Sequence, residues 1–212
     1  GRMKRAIAAV LFDLDGTLVD SAPDLAGTAN DMLLRRSRQP LPYAQLRPHA
    51  GSGARGMLGA AFGIAPGQDG YEALRDEFLA HYATRLLQET TAFDHALRML
   101  QGLDERGLPW GIVTNKSLHL AEPLATALGL LPRAAALIGG DSTPHTKPHP
   151  APLLEAARRL GVAPEACVYV GDDPRDVKAG RAAGMGTLAA AWGYLGPGEP
   201  PHAWGADAVI GH

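Results

Sequence analysis

The sequence predicts an α/β fold, a doubly wound parallel sheet with a Rossmann-like core and a small all-helical insertion after the first strand. Five short apolar segments alternate with helical patterns along the chain, which is typical of a parallel sheet with helices on both faces. Residues 21–91 break this alternation and carry helical patterns only. A chain of 212 residues is long enough for one such core and a small insertion.

The elements follow from where apolar residues recur. We expect strands at 6–14, 109–114, 135–139, 167–171 and 187–191. Helices are expected at 24–36 and 71–88 in the insertion, and at 118–128, 152–160 and 175–183 in the core. Gly129 and Gly161 follow two of these helices, where glycine commonly ends a helix. We therefore assign 3–20 and 92–212 to the core domain and 21–91 to the helical insertion.

Composition excludes several classes of partner. The formal net charge is only −2, with 20 basic and 22 acidic residues and no basic stripe, which disfavours nucleic acid binding. No segment approaches the roughly 20 apolar residues of a membrane span. The single cysteine, Cys167, cannot form an internal disulfide, so we expect a cytoplasmic protein in which Cys167 is a small core residue. Nothing in the composition indicates the oligomeric state.

Two aspartates mark the end of the first predicted strand. Asp13 and Asp15 follow the apolar run 6–12 and are followed at once by Gly16 and Thr17. Their carboxylates would repel each other and lose hydration at the end of a buried strand. The carboxyl end of a strand in an open α/β sheet is also where ligands bind. We therefore expect a cation or a reacting group between these two side chains.

Four segments in order resemble the motifs of the haloacid-dehalogenase-like hydrolases, in particular the phosphatase branch with the pattern DxDGT. The first is VLFDLDGTLVDS at 10–21, and the second is WGIVTN at 110–115. The third is TKPHP at 146–150, and the fourth is VYVGDDPRD at 168–176. Each is weak alone, but together they span nearly the whole chain. The resemblance implies that the insertion is a mobile cap over the catalytic end of the sheet.

The resemblance also implies roles in phosphoryl transfer. Asp13 would attack phosphorus and form an aspartyl-phosphate, while Asp15 would protonate the leaving oxygen and later deprotonate water. Thr114 would donate its hydroxyl, and Asn115 a pair of amide protons, to the phosphoryl oxygens. Lys147 would supply the positive charge that offsets the carboxylates and the phosphate.

An acidic, oxygen-rich site favours Mg²⁺ as the cofactor. The expected ligands are the carboxylates of Asp13 and Asp172 and the main-chain carbonyl of Asp15. Asp173 would support the metal through a bound water. Asp176 is expected to be a buried partner that orients the loop, toward Lys147, rather than a ligand.

We expect Lys116, His145 and His149, which lie in or next to the motifs, to have no role in the reaction. Lys116 follows motif II directly, and we expect it to point into a helix without a role in the reaction. His145 and His149 have a spacing that suggests a metal pair, but Pro144, Pro148 and Pro150 rule out the helix that this would need. We expect both histidines to face solvent.

The fold of this family also hosts dehalogenases, phosphonatases and sugar-phosphate mutases. A dehalogenase needs no acid at the position of Asp15, so the presence of Asp15 favours phosphoryl transfer. A phosphonatase needs a lysine in the cap, and no lysine lies between Lys4 and Lys116, which excludes that reaction. A sugar-phosphate mutase stays open, as does a regulatory phosphate-binding protein without turnover. We therefore expect a Mg²⁺-dependent phosphatase acting on a small phosphate ester.

Arginines of the insertion bear on the substrate. Arg55 lies in the glycine-rich run 51–56, and Arg47 lies shortly before it. An inward-facing Arg55 would bind a carboxylate next to the phosphate, although a surface position is an equal alternative. For Arg47 the surface position is favoured. This part of the chain resembles phosphoglycolate phosphatases. With Trp110-Gly111 before motif II and the run HAWGAD at 202–207, it also resembles N-acetylmuramic acid 6-phosphate phosphatases. The substrates of both carry a carboxylate, so Arg55 does not separate them.

Overall fold

A sheet of six parallel strands forms the centre of the protein. The computed structural model describes residues 6–211. The strands lie in the order β5-β4-β1-β6-β7-β8. Their bounds are β1 Ala9–Phe12, β4 Trp110–Val113, β5 Leu137–Ile138, β6 Cys167–Gly171, β7 Gly186–Ala190 and β8 Ala208–Ile210. The predicted parallel α/β fold is confirmed.

The winding of the sheet determines where a ligand can bind. From the central strand β1 the chain adds β4 and β5 on one side, then crosses back to add β6, β7 and β8 on the other. Phe12 at the end of β1 pairs in register with Ile112 of β4 and with Val170 of β6. The direction of winding therefore changes next to the carboxyl end of β1, and such switch points are where open α/β sheets bind ligands.

Helices cover both faces of the sheet. They are α5 Asp94–Glu105, α6 Leu118–Ala127, α7 Ala151–Leu160 and α8 Pro174–Ala182. Buried residues of α5 and α6 share one core cluster with Phe12 and Trp110, whose rings meet edge to face at 6.4 Å. Buried residues of α7 and α8 pack against Leu11 and Tyr169 on the other face. Each face of β1 is thus buried, as its continuous apolar sequence predicts.

The helical insertion follows a two-residue strand. Its helices are α1 Ala22–Arg35, α2 Tyr43–Leu46, α3 Gly53–Phe62 and α4 Tyr71–Arg85, with a 3₁₀ helix at Arg47–Ser52. The strand β2, Val19–Asp20, pairs antiparallel with β3, Thr91–Ala92, so the chain enters and leaves the insertion side by side. Buried Asp24 of α1 accepts hydrogen bonds from the backbone N–H groups of Glu89 and Thr90, both at 2.9 Å. This carboxylate joins the first helix of the insertion to its last segment.

Several elements differ from the prediction. The first strand is shorter than 6–14, because regular pairing ends at Phe12 and the aspartate segment turns away. Helix α3 was not predicted, since glycines at 53, 56 and 59 obscure its apolar face, and α5 was not predicted either. The edge strand β8 has only three residues, two of them exposed, and so short an apolar run does not predict a strand. None of the helices within residues 6–211 has the length and apolar content that crossing a bilayer requires.

Candidate active site

A cavity of about 530 Å³ lies at the carboxyl edge of the sheet, between the core and the helical insertion. All of the predicted site residues except Asp172 line it. The core contributes Asp13, Asp15, Thr114, Asn115, Lys116, Lys147, Asp173, Arg175 and Asp176 to its wall. The insertion contributes, among others, Leu25, Arg55, Tyr71, Arg75, Phe78, Leu79 and Tyr82. One side of the cavity is therefore highly charged, and the other combines aromatic, aliphatic and basic side chains.

Lys147 lies at the charged end and is only 4% exposed. Its ammonium donates to Asp13 Oδ1 at 2.9 Å and to Asp176 Oδ1 at 2.8 Å. It also lies 2.6 Å from the hydroxyl of Tyr169 and 3.0 Å from the carbonyl oxygen of Val113. Burial opposes its charge, but the two carboxylates outweigh that effect and raise the pKa of Lys147. A permanent positive charge is thus held beside Asp13.

Asp172, at 1% exposed, lies behind the cavity wall. It accepts hydrogen bonds from the Thr17 hydroxyl at 3.1 Å and from the backbone N–H of Tyr194 at 2.9 Å. Gly16 and Gly193 let the backbone approach this carboxylate, because a Cβ atom on either would lie 2.2 Å from an Asp172 side-chain atom. Burial, followed by the charges of Asp13 and Asp176, raises the pKa of Asp172 well above its ordinary value.

Three carboxylates meet at this point with a surplus of negative charge. Asp13, Asp172 and Asp176 each offer one oxygen within 4.8 Å of the others. Burial, followed by the charge of Asp176, raises the pKa of Asp13 to about 7, against the opposing effect of Lys147. One lysine does not balance three buried acids, and the donors are all oxygens. The cluster therefore fits a hard divalent cation.

The side chain of Asp15 is not part of this carboxylate cluster, and the ligand predicted from Asp15 is its main-chain carbonyl. Its Oδ1 accepts a hydrogen bond from the Ser21 hydroxyl and lies 3.2 Å from the ammonium of Lys116. The expectation that Lys116 points into a helix was wrong. Its ammonium turns into the cavity, where it reaches the Tyr82 hydroxyl at 2.6 Å. The attraction of Asp15 explains this, and the sequence interval of 101 residues between the two hid it.

Asn115 of motif II has a different role from the one expected of it. The Asn115 amide is a clamp on the backbone of Lys147, donating to its carbonyl oxygen at 3.0 Å and accepting from its N–H at 2.9 Å. Asn115 therefore does not offer two donors to a phosphate, because one is used to orient Lys147. The Thr114 hydroxyl oxygen accepts from the N–H of Lys116 at 3.1 Å, which leaves its proton to donate into the cavity.

Asp173 and Asp176 form a capping box at the start of α8. Asp173 also binds Arg175, whose guanidinium reaches across the cavity to the carbonyl oxygen of Gly51 at 2.7 Å. Arg175 is thus a link between core and insertion that no local sequence pattern indicated. Asp176 Oδ1 accepts from Lys147, which is the contact that was expected of it.

The remaining candidates lie further out. Arg55 is exposed in the first turn of α3 and lines the cavity, as does Arg75, which was not predicted. Arg47 instead stacks over the ring of Tyr194, 5.0 Å from its centroid. His145 and His149 stack on each other at 4.2 Å. Cys167 is buried, and burial raises its pKa, in keeping with a core residue.

Comparisons with known proteins agree with this geometry. The family model for haloacid dehalogenase-like hydrolases matches residues 7–184. The chain is 50% identical over 202 residues to a phosphoglycolate phosphatase of Xanthomonas campestris pv. campestris (strain 8004), covering 95% of this chain and 91% of that protein. It is 41% identical over 206 residues to an N-acetylmuramic acid 6-phosphate phosphatase of Pseudomonas putida, covering 97% and 92%.

The fold has close matches among solved structures. A crystal structure described as a predicted phosphoglycolate phosphatase from Haemophilus somnus 129pt superposes with a TM-score of 0.83 at 27% identity. The match covers 96% of this chain and 93% of that one. Together with the family model over most of its length, these matches show that the chain belongs to the haloacid dehalogenase-like hydrolases.

Proposed function

We propose that this chain, a phosphatase of the haloacid dehalogenase-like family, is a Mg²⁺-dependent phosphomonoesterase for a small carboxylate-bearing metabolite of the phosphoglycolate type. The placement of Asp13 supports this most directly. Its carboxylate lies at the end of the central strand, with Oδ1 bound by the N–H of Leu14 at 2.8 Å and by Lys147. It is thereby oriented toward a cavity large enough for a phosphate ester.

Asp13 and Asp15 would divide the reaction. An oxygen of Asp13 attacks phosphorus while the bond to the alcohol breaks, and the electron pair of that bond goes to the alcohol oxygen, which takes a proton from Asp15. Water then attacks the aspartyl-phosphate and gives its proton to Asp15. The bond between phosphorus and Asp13 breaks, which releases inorganic phosphate and restores both side chains.

Lys147 and Thr114 would stabilise the charge that develops on the phosphoryl oxygens. Lys147 brings an ammonium held by four partners, and the Thr114 hydroxyl donates its proton to no acceptor among residues 6–211. Catalysis of phosphoryl transfer consists mainly of such positioning and neutralisation. The Asn115 clamp contributes indirectly by holding the backbone of Lys147.

For the cofactor, we propose Mg²⁺ held by the carboxylates of Asp13 and Asp172 and the main-chain carbonyl of Asp15. Asp173 would support it through a bound water. The oxygens of Asp176 already accept from Lys147 and from the N–H of Asp173, so we assign it the role of orienting partner. The bound cation would neutralise charge on the phosphate and on the clustered acids.

A carboxylate on the substrate is supported by the arginines of the insertion. Arg55 and Arg75 line the cavity opposite the acids, and no hydrogen bond from residues 6–211 occupies either guanidinium. The second candidate substrate is N-acetylmuramic acid 6-phosphate, on which two relatives are named as acting. The cavity of about 530 Å³ favours it, since pockets of about 300–1,000 Å³ enclose ligands far larger than a two-carbon phosphate.

Phosphate release from a small panel of esters tests both proposals. The panel contains phosphoglycolate, N-acetylmuramic acid 6-phosphate and N-acetylglucosamine 6-phosphate, which lacks the carboxylate-bearing ether of its muramic analogue. We expect activity with Mg²⁺ that is abolished by EDTA and lost by several orders of magnitude in Asp13→Asn, with its fold intact. Turnover of Asp13→Asn near that of the unchanged protein would refute the mechanism. A rate on N-acetylglucosamine 6-phosphate equal to that on the better of the two carboxylated esters would refute carboxylate recognition.

A further inference from the structure

We propose that Lys116 is a positioning residue for Asp15, and that Tyr82 of the helical insertion holds Lys116 in place. Proton transfer to the leaving group would then depend on the insertion lying against the core. The inference rests on the proposed function, because it assumes that Asp15 is the acid of the reaction.

The contacts of Lys116 join the core to the insertion. Its ammonium lies 3.2 Å from Asp15 Oδ1 and 2.6 Å from the hydroxyl of Tyr82, a residue of α4. The same ammonium lies 4.4 Å from the centroid of the Tyr82 ring, close enough for a cation–π contact. One charged group thus touches the acid on one side and the insertion on the other.

Burial makes these contacts difficult to replace. The side chain of Lys116 is 7% exposed, and Tyr82 is 1% exposed. Without the Tyr82 hydroxyl, a donor of the ammonium would face the ring or the cavity. A buried ammonium that loses one partner moves toward those that remain or toward water. The position of Lys116 therefore depends on where α4 lies.

The Asp15 carboxylate is anchored through one oxygen only. Oδ1 accepts from the Ser21 hydroxyl and faces Lys116. No hydrogen bond from residues 6–211 reaches Oδ2, which is thus the oxygen available to carry a proton to the substrate. Lys116 thereby determines the direction of Oδ2 without touching the reacting atoms.

The test uses two esters of similar size that differ in their need for an acid. The alcohol of benzyl phosphate leaves poorly without a proton, whereas p-nitrophenolate leaves as an anion. The value of kcat/KM reports the steps up to transfer of the phosphoryl group, so it isolates the acid role of Asp15 from its later role as a base.

We expect Lys116→Met to lower kcat/KM for benzyl phosphate by about 10- to 100-fold, part of the 10²–10⁴ that general acids contribute. The value for p-nitrophenyl phosphate should change by less than about threefold. Tyr82→Phe, which keeps the ring and loses only the hydroxyl, should show the same selectivity with a loss of about five- to tenfold. Tyr43→Phe, in an exposed tyrosine of the insertion outside the cavity, is the control and should change neither value.

Three outcomes would overturn the inference. Equal losses on both esters in either variant would mean that the residue binds phosphate or supports the fold. Unchanged values in Tyr82→Phe would remove the link to the insertion, even if Lys116→Met did not fold. Unchanged values in a folded Lys116→Met would remove the positioning role. If the unchanged protein hydrolysed neither these two esters nor any ester of the metabolite panel, the proposed function would instead be refuted.

Discussion

Replacing Lys147 by methionine should destabilise the fold as well as the site. The ammonium lies 2.9 Å from Asp13 and 2.8 Å from Asp176. At an effective dielectric constant of about 20, each pair corresponds to an attraction of about 6 kcal/mol before the cost of desolvation. Removing one partner of a buried ion pair typically costs about 3–5 kcal/mol, because the remaining charge stays buried without compensation. We expect Lys147→Met to lower the free energy of unfolding by about 3–5 kcal/mol.

Urea denaturation followed by circular dichroism in EDTA measures this loss. Lys178→Met, on the exposed side of α8, is the control and should change stability by no more than about 0.5 kcal/mol. The double variant Lys147→Met with Asp176→Asn should recover part of the loss, because it removes one uncompensated charge. A loss below about 1 kcal/mol in Lys147→Met, or additive losses in the double variant, would refute this account of the site.

Three further predictions concern the cation and the substrate. Because burial raises the pKa of Asp13 to about 7, the folded metal-free protein binds protons more tightly than the unfolded chain does, so its stability should fall as pH rises toward 7. Added Mg²⁺ should therefore raise Tm more in mildly alkaline than in mildly acid buffer, and equal gains would contradict the assignment. Asp172→Asn should raise the Mg²⁺ concentration for half-maximal activity by at least about tenfold, and an unchanged requirement would exclude Asp172 as a ligand. Arg55→Ala should raise KM for the carboxylated substrate by about ten- to a thousandfold but leave that for p-nitrophenyl phosphate nearly unchanged; equal losses would mean that Arg55 binds the phosphate.

Local pattern was enough to predict the central part of the fold. The strands β1, β4 and β6 are buried on both faces, so each is a continuous apolar run. Within the segments that follow them, the resemblance to the family motifs identified Asp13, Thr114 and Asp172. Parallel strands place such ends at one edge, which is why residues far apart in sequence could be assigned to one site. Asp176 was expected to be a buried partner directed toward Lys147, and the structure shows this contact at 2.8 Å.

Contacts across the cavity could not be predicted in this way. Lys116 and Tyr82 are 34 residues apart and lie on different units of the fold, and Arg175 reaches Gly51 over 124 residues. Neither contact corresponds to a recognisable pattern of residue spacing in the sequence. Helix α3 was hidden for a related reason, since its glycines reduce helix propensity and it is stabilised by packing against α1, α4 and the 3₁₀ helix Arg47–Ser52.

The paired strands β2 and β3 have a consequence for how this protein can vary. Because the polypeptide leaves and re-enters the core at adjacent positions, the intervening segment closes a loop whose ends are already together. Closure entropy grows only with the logarithm of loop length, by about 0.6 kcal/mol for each doubling. Insertions, deletions or exchange of the whole helical unit therefore leave the register of the six-stranded sheet untouched. Substrate preference can diverge in the insertion while the strands that carry Asp13, Thr114 and Asp172 stay constant.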